Sequence, residues 1–295
     1  MAVEKPIEIN AAASPTYGHF SPLSYRSPNK PTWCPGCGGF GVLGALYKAL
    51  ADLGLRPESF VMVSGIGCSS RIPRFVNAYG FHSVHGRILP IATGIKLARP
   101  ELEVMAIGGD GDGLAIGGNH FMHTARRNID ITYLMLDNAV YGMTKGQPSP
   151  TSNMGFVTKA SPYGVFAQSV NPPALAVSFG ATFVARGFSG DPKGLESLIV
   201  KGIRHKGFAF IHIISPCSIF NDTLEFWREN TIEVEEHDPT DKFEAYRLAA
   251  MTDKVSLGVL YQIREETLDE KYATLKHNVD QEKTLKIEDF FMQYR

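Results

Sequence analysis

The stretch that decides the fold reads VMAIGGDGDG and occupies residues 104–113. Its first four residues are apolar without polar alternation, which is typical of a strand buried on both faces of a sheet. The glycines and aspartates behind them predict a turn, and residues 117–127 then show the apolar spacing of a helix. Strand, turn and helix in this order make up one unit of an α/β fold.

The same unit recurs in both directions along the chain. We predict further strands at 60–63, 131–136, 182–185 and 208–214, and further helices at 38–53, 89–97, 173–179 and 192–205. Because the strands lack alternating polarity and are separated by helices, the predicted fold class is α/β, with a parallel sheet and helices on both of its faces.

The balance of charged residues indicates which kinds of molecule this protein binds. The 295 residues include 29 basic and 30 acidic ones, for a net charge of −1. This balance gives no electrostatic reason to expect nucleic acid or an anionic membrane, so a small-molecule site is favoured. No apolar run approaches the roughly 20 residues that cross a bilayer, and residues 1–16 carry no apolar signal core. We therefore expect a cytoplasmic protein in a reducing environment, with no membrane partner.

Composition divides the chain into three parts. Residues 1–33 form an N-terminal arm whose serines and prolines oppose helix. Residues 34–230 hold the strand and helix units, and residues 231–295 form a tail with 15 acidic and 9 basic residues. The tail also has an apolar segment at 255–261 and an aromatic end, Phe290, Phe291 and Tyr294. It packs either on a partner or on its own domain, and a plain solvated helix is an equally open interpretation.

The residues beyond the strand ends predict a magnesium site. Parallel strands bring the segments 65–71, 108–113, 137–142 and 215–217 to one edge of the sheet, where ligands bind in such folds. Glycines beside Asp110 allow a phosphate to approach the backbone, but a carboxylate repels that phosphate unless a divalent cation lies between them. Asn138, 28 residues after Asp110, and the carbonyl of Val140 offer two more oxygen ligands. A simple turn is the alternative, and an EF-hand loop fits poorly because its later acidic positions are missing.

The four cysteines come to the same edge. Cys68 and Cys217 follow strands, and Cys34 and Cys37 follow the arm, so all four thiols are able to meet. Four thiolates suit tetrahedral Zn²⁺ or a 4Fe–4S cluster, and spacing alone does not separate the two. A thioredoxin-like dithiol is a third interpretation, although that motif requires a strand just before it. Any single cysteine taken alone is as readily explained as a buried, inert side chain.

The motifs also carry a family resemblance. GDG followed 28 residues later by Asn resembles the motif of thiamine diphosphate enzymes. The text VHGRILPIATGIKLA at 84–98, GGDGD at 108–112 and DNAVYGMTKGQPSPTS at 137–152 resembles the β subunit of the 2-oxoacid:ferredoxin oxidoreductases. The resemblance covers roughly residues 30–225. It implies a thiamine diphosphate-binding fold.

Site residues follow from the resemblance position by position. It implies Mg²⁺ bound by Asp110, Asn138 and the Val140 carbonyl, and a 4Fe–4S cluster bound by Cys34, Cys37, Cys68 and Cys217. The remaining cofactor-binding positions it implies are Gly67, His85, Gly86, Pro90, Gly109, Gly111, Asp112, Met143, Thr144 and Gln147. The catalytic candidates are His85, Arg71 and Lys145.

The resemblance also implies a reaction. The expected enzyme converts 2-oxoglutarate, coenzyme A and oxidised ferredoxin into succinyl-CoA, CO₂ and reduced ferredoxin, in either direction, as in the tricarboxylic acid cycle. Arg71 and Lys145 favour 2-oxoglutarate because a cation neutralises its distal carboxylate, which pyruvate lacks. Pyruvate or a broad range of 2-oxoacids is the first alternative. A non-redox thiamine diphosphate decarboxylase or synthase with structural zinc is the second.

Partners are implied by what the chain lacks. Thiamine activation usually needs a glutamate at the aminopyrimidine ring, and no matching motif is found here. In the family that glutamate comes from an α subunit, so we expect a heterodimer, paired as α2β2, that is catalytic only as a complex. A single cysteine cluster implies electron transfer to an external ferredoxin.

Overall fold

Residues 18–234 and 236–281 are described by the computed structural model. In chain order their strands are β1 (Phe60–Ser64), β2 (Tyr79–His82), β3 (Glu103–Gly109), β4 (Ile131–Asp137), β5 (Val140–Tyr141), β6 (Gln147–Pro148), β7 (Phe183–Phe188), β8 (Phe208–Ile214), β9 (Thr231–Glu233) and β10 (Val255–Gln262). The tail residues Phe290, Phe291 and Tyr294 lie outside the described part of the chain.

Helices fill the connections between the strands. In chain order they are α1 (Gly39–Leu53), α2 (Ile88–Ala98), α3 (Asp110–Leu114), α4 (Gly118–Arg126), α5 (Pro172–Ser178), α6 (Pro192–Arg204), α7 (Leu224–Glu229), α8 (Lys242–Ala249) and α9 (Leu268–Gln281). Short 3₁₀ helices lie at Pro22–Tyr25, Pro57–Ser59 and Ser69–Phe75. None of the helices in the described residues combines the length and apolarity needed to cross a membrane.

One sheet organises the molecule. Its strand order is β2-β1-β3-β4-β8-β7-β10-β9. All pairings from β2 to β7 are parallel, and β10 then runs antiparallel to β7. The predicted α/β class is confirmed. The chain order reverses at β1, which has β2 on one side and β3 on the other, and open α/β sheets bind ligands beyond the carboxyl ends of strands at such a point.

Both faces of the sheet are buried under helices. In β1, Met62 packs in the same core cluster as Leu46 and Leu50 of α1, whereas Val63 packs in the opposite cluster with Phe121 of α4. Successive side chains of a strand point to opposite faces, so each central strand needs apolar residues throughout. This is why the strands are unbroken apolar runs in the sequence.

One predicted strand was too short. The apolar run was expected to end at Ala185, but β7 continues through Arg186 to Phe188. Arg186 interrupts the apolar pattern although it is buried, with 4% of its surface exposed. The prediction ended the strand before Arg186 because a charged residue usually marks the end of a buried run. Arg186 is buried because it contacts His212 on β8, and that contact is not visible in the local sequence.

The described part of the arm packs on the α1 face of the sheet. Tyr25 is fully buried, its hydroxyl donates to the Leu55 carbonyl at 2.6 Å, and burial raises its pKa to about 12. Trp33 donates from its indole Nε1 to the Cys68 carbonyl at 2.7 Å. The arm thereby holds the first two cysteines beside the loop that follows β1.

The tail packs partly on its own chain. Its apolar segment forms β10, which pairs along β7 with Gly258 opposite Arg186, and α8 packs against β10. Residues 271–278 of α9 are exposed. The tail thus completes the sheet with one segment and presents another to solvent.

Candidate active site

A cavity of about 360 Å³ opens beyond the carboxyl ends of β1, β3 and β4. We call it the glycine-turn cavity, because the turn at residues 109–112 forms part of its wall. The predicted site residues that line it are Cys37, Gly67, Cys68, His85, Gly109, Asp110, Gly111, Asp112, Asn138, Val140, Met143 and Thr144. Loops that are far apart in the sequence therefore meet in one concave site.

Asp110 is the first residue of α3 and is almost completely buried. Its Oδ2 lies 2.7 Å from the Thr151 hydroxyl, and the same hydroxyl lies 2.7 Å from Oδ1 of Asp137. Burial, and then the charge of Asp137, raises the pKa of Asp110 to about 7. One hydroxyl has one proton and serves only one of two carboxylates as a donor. A divalent cation beside Asp110 would relieve this crowding of negative charge.

The turn has no room for a side chain at Gly111 and only tight room at Gly109. A Cβ on Gly111 would lie 2.2 Å from Cε1 of Tyr141, and a Cβ on Gly109 would lie 3.1 Å from the Ser69 hydroxyl. The Tyr141 hydroxyl donates to the Gly111 carbonyl at 3.2 Å and fixes the turn against the next loop. Bare backbone therefore faces the cavity, as a phosphate group requires for close approach.

The two other predicted magnesium ligands flank a left-handed residue. Ala139, with φ 54°, stands between Asn138 and Val140. Its N–H donates to Oδ1 of Asp137 at 2.9 Å, and the Val140 N–H donates to Oδ1 of Asn138 at 3.1 Å. This backbone conformation is unfavourable for a residue with a Cβ, and the two hydrogen bonds hold it in place.

Asp112 holds His85 beside the cavity. Its Oδ1 accepts hydrogen bonds from the N–H groups of Ile66 and Gly86, each at 2.9 Å, and lies 2.9 Å from Nδ1 of His85. Burial raises the pKa of Asp112, and these hydrogen bonds with the nearby imidazole oppose the increase. Since Nδ1–H faces a carboxylate, Nε2 of the neutral imidazole is its free acceptor. Asp112 therefore sets the tautomer of His85 and joins the loops after β1 and β2.

A second cavity of about 240 Å³ adjoins the first, and we call it the cysteine cavity. Cys34, Cys37, Cys68 and Cys217 all line it, together with Arg71. The four cysteines of the chain are thus gathered at one place, although they come from the arm, the loop after β1 and the loop after β8. The two cavities share the walls Trp33, Cys37, Cys68, Asn138, Gly142 and Met143.

The four thiols are free, and the pKa values of two of them, Cys37 and Cys68, are raised. Burial raises the pKa of Cys37 and of Cys68, and the neighbouring cysteines raise both values further. Arg71 lowers the pKa of Cys68 but does not outweigh burial. Within residues 18–234 and 236–281, no three His, Cys, Asp or Glu side chains are already arranged to hold a metal ion. The cysteines share one cavity without forming a preassembled metal site.

Comparison with known families agrees with this geometry. Residues 65–213 match the family model described as "Thiamine pyrophosphate enzyme, C-terminal TPP binding domain". Residues 217–277 match the family model for the C-terminal part of the pyruvate ferredoxin oxidoreductase beta subunit. The first match spans the glycine turn and most of the parallel sheet, and the second spans α7 to most of α9.

Individual relatives are more specific. The 2-oxoacid:ferredoxin oxidoreductase subunit beta of Saccharolobus solfataricus is 48% identical over 232 residues, 77% of this chain and 76% of the relative. The chain belongs to the β subunits of the 2-oxoacid:ferredoxin oxidoreductases. The 2-oxoglutarate oxidoreductase subunit KorB of Mycobacterium tuberculosis is 48% identical over 198 residues, 67% of this chain and 53% of that subunit.

A solved structure extends the likeness to three dimensions. It is the 2-oxoglutarate:ferredoxin oxidoreductase from Magnetococcus marinus with 2-oxoglutarate, coenzyme A and succinyl-CoA bound. The TM-score is 0.91 at 40% identity, over 95% of this chain and 98% of the other. The thiamine diphosphate-binding fold expected from the sequence is thereby confirmed.

Some residues predicted for this β subunit lie outside the two cavities. Pro90 is in the first turn of α2, and Gln147 contacts the cavity indirectly, because it accepts a hydrogen bond from Thr144 at 2.6 Å. Lys145 is exposed in a left-handed conformation with φ 79°. Gly86, with φ 71°, lies behind the glycine-turn cavity and contacts Asp112. Arg71 is the one catalytic candidate on the cysteine cavity.

A set of buried polar residues next to this β subunit's cavity was not predicted from the sequence. Thr151, Asp137, His212 and Arg186 form one hydrogen-bonded series that begins at Asp110. The sequence did contain one indication of this set, namely His212 inside the otherwise apolar strand β8. A buried polar side chain needs a hydrogen-bond partner, so His212 implied a polar neighbour on an adjacent strand.

Proposed function

We propose that this chain, with an α subunit, oxidises 2-oxoglutarate and reduces ferredoxin. In the balanced reaction, 2-oxoglutarate, coenzyme A and two oxidised ferredoxins give succinyl-CoA, CO₂, two reduced ferredoxins and one proton. Support comes from relatives named for 2-oxoglutarate and from the Magnetococcus marinus enzyme, whose structure holds 2-oxoglutarate, coenzyme A and succinyl-CoA.

A single observation carries the redox part of the proposal. The glycine-turn cavity and the cysteine cavity share six wall residues, Cys37 and Cys68 among them. Decarboxylation of a 2-oxoacid leaves electrons that need a nearby acceptor of one electron at a time. A thiolate-bound cluster in the adjoining cavity meets that need, and zinc does not.

The residues of the glycine turn fit Mg²⁺ and a diphosphate. Asp110 and Asn138 supply side-chain oxygens and Val140 a carbonyl, all of them on one cavity wall, and oxygen ligands are those that Mg²⁺ prefers. Gly109 and Gly111 line the same cavity, so no side chain at these positions separates the backbone from a bound diphosphate. We assign this wall to the diphosphate and its metal ion.

The four cysteines fit a 4Fe–4S cluster by chemistry and by number. Four thiolates are the ligands of that cluster, and since burial raises the pKa of Cys37 and of Cys68, binding of a cluster would be coupled to loss of their protons. Thiamine diphosphate held at the glycine turn would supply nucleophilic chemistry at the keto carbon, and a cluster held by the four cysteines would supply one-electron transfer.

The chain's own residues then orient the substrate. His85 presents Nε2 to the cavity as a proton acceptor, because Asp112 fixes its Nδ1–H. Arg71, on the cysteine cavity, and Lys145, exposed next to the cavity-lining Thr144, are the cations that we assign to the distal carboxylate of 2-oxoglutarate. Pyruvate has no distal carboxylate, so these two cations would not strengthen its binding in this way.

The substrate assignment is tested by co-expressing the chain with its α subunit and measuring coenzyme A-dependent viologen reduction. We expect a higher kcat/KM with 2-oxoglutarate than with pyruvate, and Arg71→Met to lower it for 2-oxoglutarate alone. A higher kcat/KM with pyruvate overturns the assignment.

The same anaerobic preparation tests the cluster. We expect a brown protein that contains iron and loses its colour in Cys68→Ser. Ser218→Ala is the matched control, since Ser218 lines the same cavity without offering a thiol. Colourless protein with bound zinc overturns the redox role.

A further inference from the structure

A row of buried polar side chains crosses three strands of the sheet. Arg186 on β7 donates from Nε to Nδ1 of His212 on β8 at 3.3 Å, and Nε2 of His212 donates to Oδ2 of Asp137, at the end of β4, at 2.8 Å. Oδ1 of Asp137 lies 2.7 Å from the Thr151 hydroxyl, which lies 2.7 Å from Oδ2 of Asp110. Every link is within hydrogen-bond distance, and the single proton of the Thr151 hydroxyl is donated to one of its two carboxylate neighbours at a time.

The sheet register makes the row possible. Arg186 pairs directly with His212 in the parallel ladder of β7 and β8, so the two side chains are neighbours on one face. Each residue of the row is mostly buried, and Arg186 and His212 have 4% and 6% of their surfaces exposed. Burying a guanidinium and an imidazole in apolar strands is costly unless they are hydrogen-bonded. A structural purpose alone would be served as well by apolar residues in a sheet that is buried on both faces.

The contacts determine which group donates and which accepts at His212 and Asp137. Nδ1 of His212 accepts from Arg186, so its proton lies on Nε2 and the imidazole is neutral. That proton fixes Oδ2 of Asp137, while the Ala139 N–H fixes its Oδ1 at 2.9 Å. Asp137 is thereby held in one orientation beneath the Thr151 hydroxyl.

We propose that Arg186, His212, Asp137 and Thr151 are positioning residues that hold Asp110 in the orientation in which it binds the metal ion. The proposal rests on the proposed function, in which Asp110 is a magnesium ligand. Residues that orient a metal ligand typically change metal affinity about 10- to 100-fold when they are substituted. Asp137 also holds Ala139, so the row reaches the turn between Asn138 and Val140.

The test measures Mg²⁺-dependent binding of thiamine diphosphate to the assembled enzyme, the chain together with its α subunit, by isothermal titration calorimetry. We expect His212→Phe, which removes the donor to Asp137 and keeps a ring, to weaken Mg²⁺ affinity about 10-fold or more. His212→Gln keeps an N–H donor and should restore affinity to within about threefold. Thr151→Val and Thr151→Ser form a second pair with the same expected contrast, in case His212→Phe does not fold.

His205→Phe is the matched control. His205 is another buried histidine, and its Nε2 lies 2.8 Å from the Thr182 hydroxyl at the opposite end of the strands. It should lose stability comparable to that of His212→Phe but keep wild-type Mg²⁺ affinity.

Three outcomes overturn the inference. Wild-type affinity in His212→Phe and Thr151→Val overturns it while the proposed function stands. Weakened affinity in His205→Phe as well reduces the effect to general destabilisation. Mg²⁺-independent binding by the wild type overturns the magnesium site and the inference together.

Discussion

At the amino ends of the parallel strands, Asp130 is hydrogen-bonded to the ammonium groups of Lys96 and Lys206 at 2.8 and 3.2 Å. Although burial raises the pKa of Asp130, these two cations hold it below its ordinary value. At the carboxyl ends, Asp110 faces a second carboxylate and its pKa is raised to about 7. Two buried aspartates of one sheet thus have opposite environments. The first is neutralised within the protein, and the second is the one to which the proposed function assigns a metal ion.

Hydrogen bonding separates the two ends less sharply than charge does. At the amino end, Oδ1 of Asn128 accepts from the Thr182 hydroxyl and the Phe208 N–H, each at 2.8 Å. At the carboxyl end, buried atoms that have no hydrogen-bond partner within the described chain include Asp112 Oδ2. Asp269 Oδ1, whose charge acts on Lys206 near the amino end, also lacks a partner. The contrast between the two ends therefore rests on the charges around Asp130 and Asp110.

The largest expected effect comes from a substitution that breaks the ion pairs of Asp130 at the amino ends of the strands. Asp130→Asn leaves Lys96, which has 2% of its surface exposed, without its carboxylate, and should lower the free energy of unfolding by about 3–5 kcal/mol. Urea unfolding of the chain measures this loss. Glu103→Gln is the control, because Glu103 lies 3.9 Å from the partly exposed Lys206 and should cost about 1 kcal/mol or less. Equal losses in both variants would contradict the contrast.

The next effect is on binding. Asp110→Asn removes the proposed metal ligand and the excess charge together, and should weaken Mg²⁺-dependent thiamine diphosphate binding by about 100-fold, or ~2.7 kcal/mol. Calorimetry on the complex measures it. Since the charge at this end opposes folding, the variant should unfold no more easily than the wild type at pH 8. A large loss of stability would show that Asp110 belongs to the structural network after all.

The pH dependence of stability sharpens the same comparison. The pKa of Asp110 is raised from 3.8 to about 7, so the native apoprotein binds a proton that the unfolded chain has released between about pH 4 and 7. Stability should therefore fall as pH rises through this window, by on the order of 2 kcal/mol because the proton is shared with Asp137. Urea unfolding from pH 5 to 8 measures the slope. Mg²⁺ with thiamine diphosphate, or Asp110→Asn, should flatten it.

The smallest effect concerns the turn at Ala139. Ala139→Gly removes the strain of φ 54° but adds backbone freedom, so the net gain in stability should be about 1 kcal/mol or less. The freer turn should lower Mg²⁺ affinity slightly. Thermal unfolding and calorimetry on one sample compare the two changes, and a loss of stability would contradict the strain argument.

Much of the fold and site was readable from sequence because the signals are local. The strands around residues 104–107 and 131–136 are apolar runs, and each ends at a turn with Asp110 or Asn138. Parallel pairing then brings those ends together without further information. The strand and glycine signals sufficed because each depends on only a few consecutive residues.

The hydrogen-bond partners of the buried polar residues could not be predicted from the sequence, because they lie on other strands and loops. The residues next to His212 in the sequence do not indicate that it contacts Asp137, 75 residues earlier, and Arg186, 26 residues earlier. Asp112 was expected near the diphosphate, and its contacts with Ile66, Gly86 and His85 became visible only when three loops were placed together. Hydrogen-bond partners follow from the register of the sheet, which periodicity does not determine.

The shared walls of the two cavities have a thermodynamic consequence. Trp33, Cys68 and Asn138 border both, so an occupant of one cavity restrains side chains that the occupant of the other also contacts. By linkage, each occupant then changes the affinity for the other by the same factor. Under the proposed function, protein without the cluster would misreport its affinity for thiamine diphosphate, and protein without thiamine diphosphate would misreport its retention of iron. The coupling would be the same whichever of the two binds first, because linkage is reciprocal.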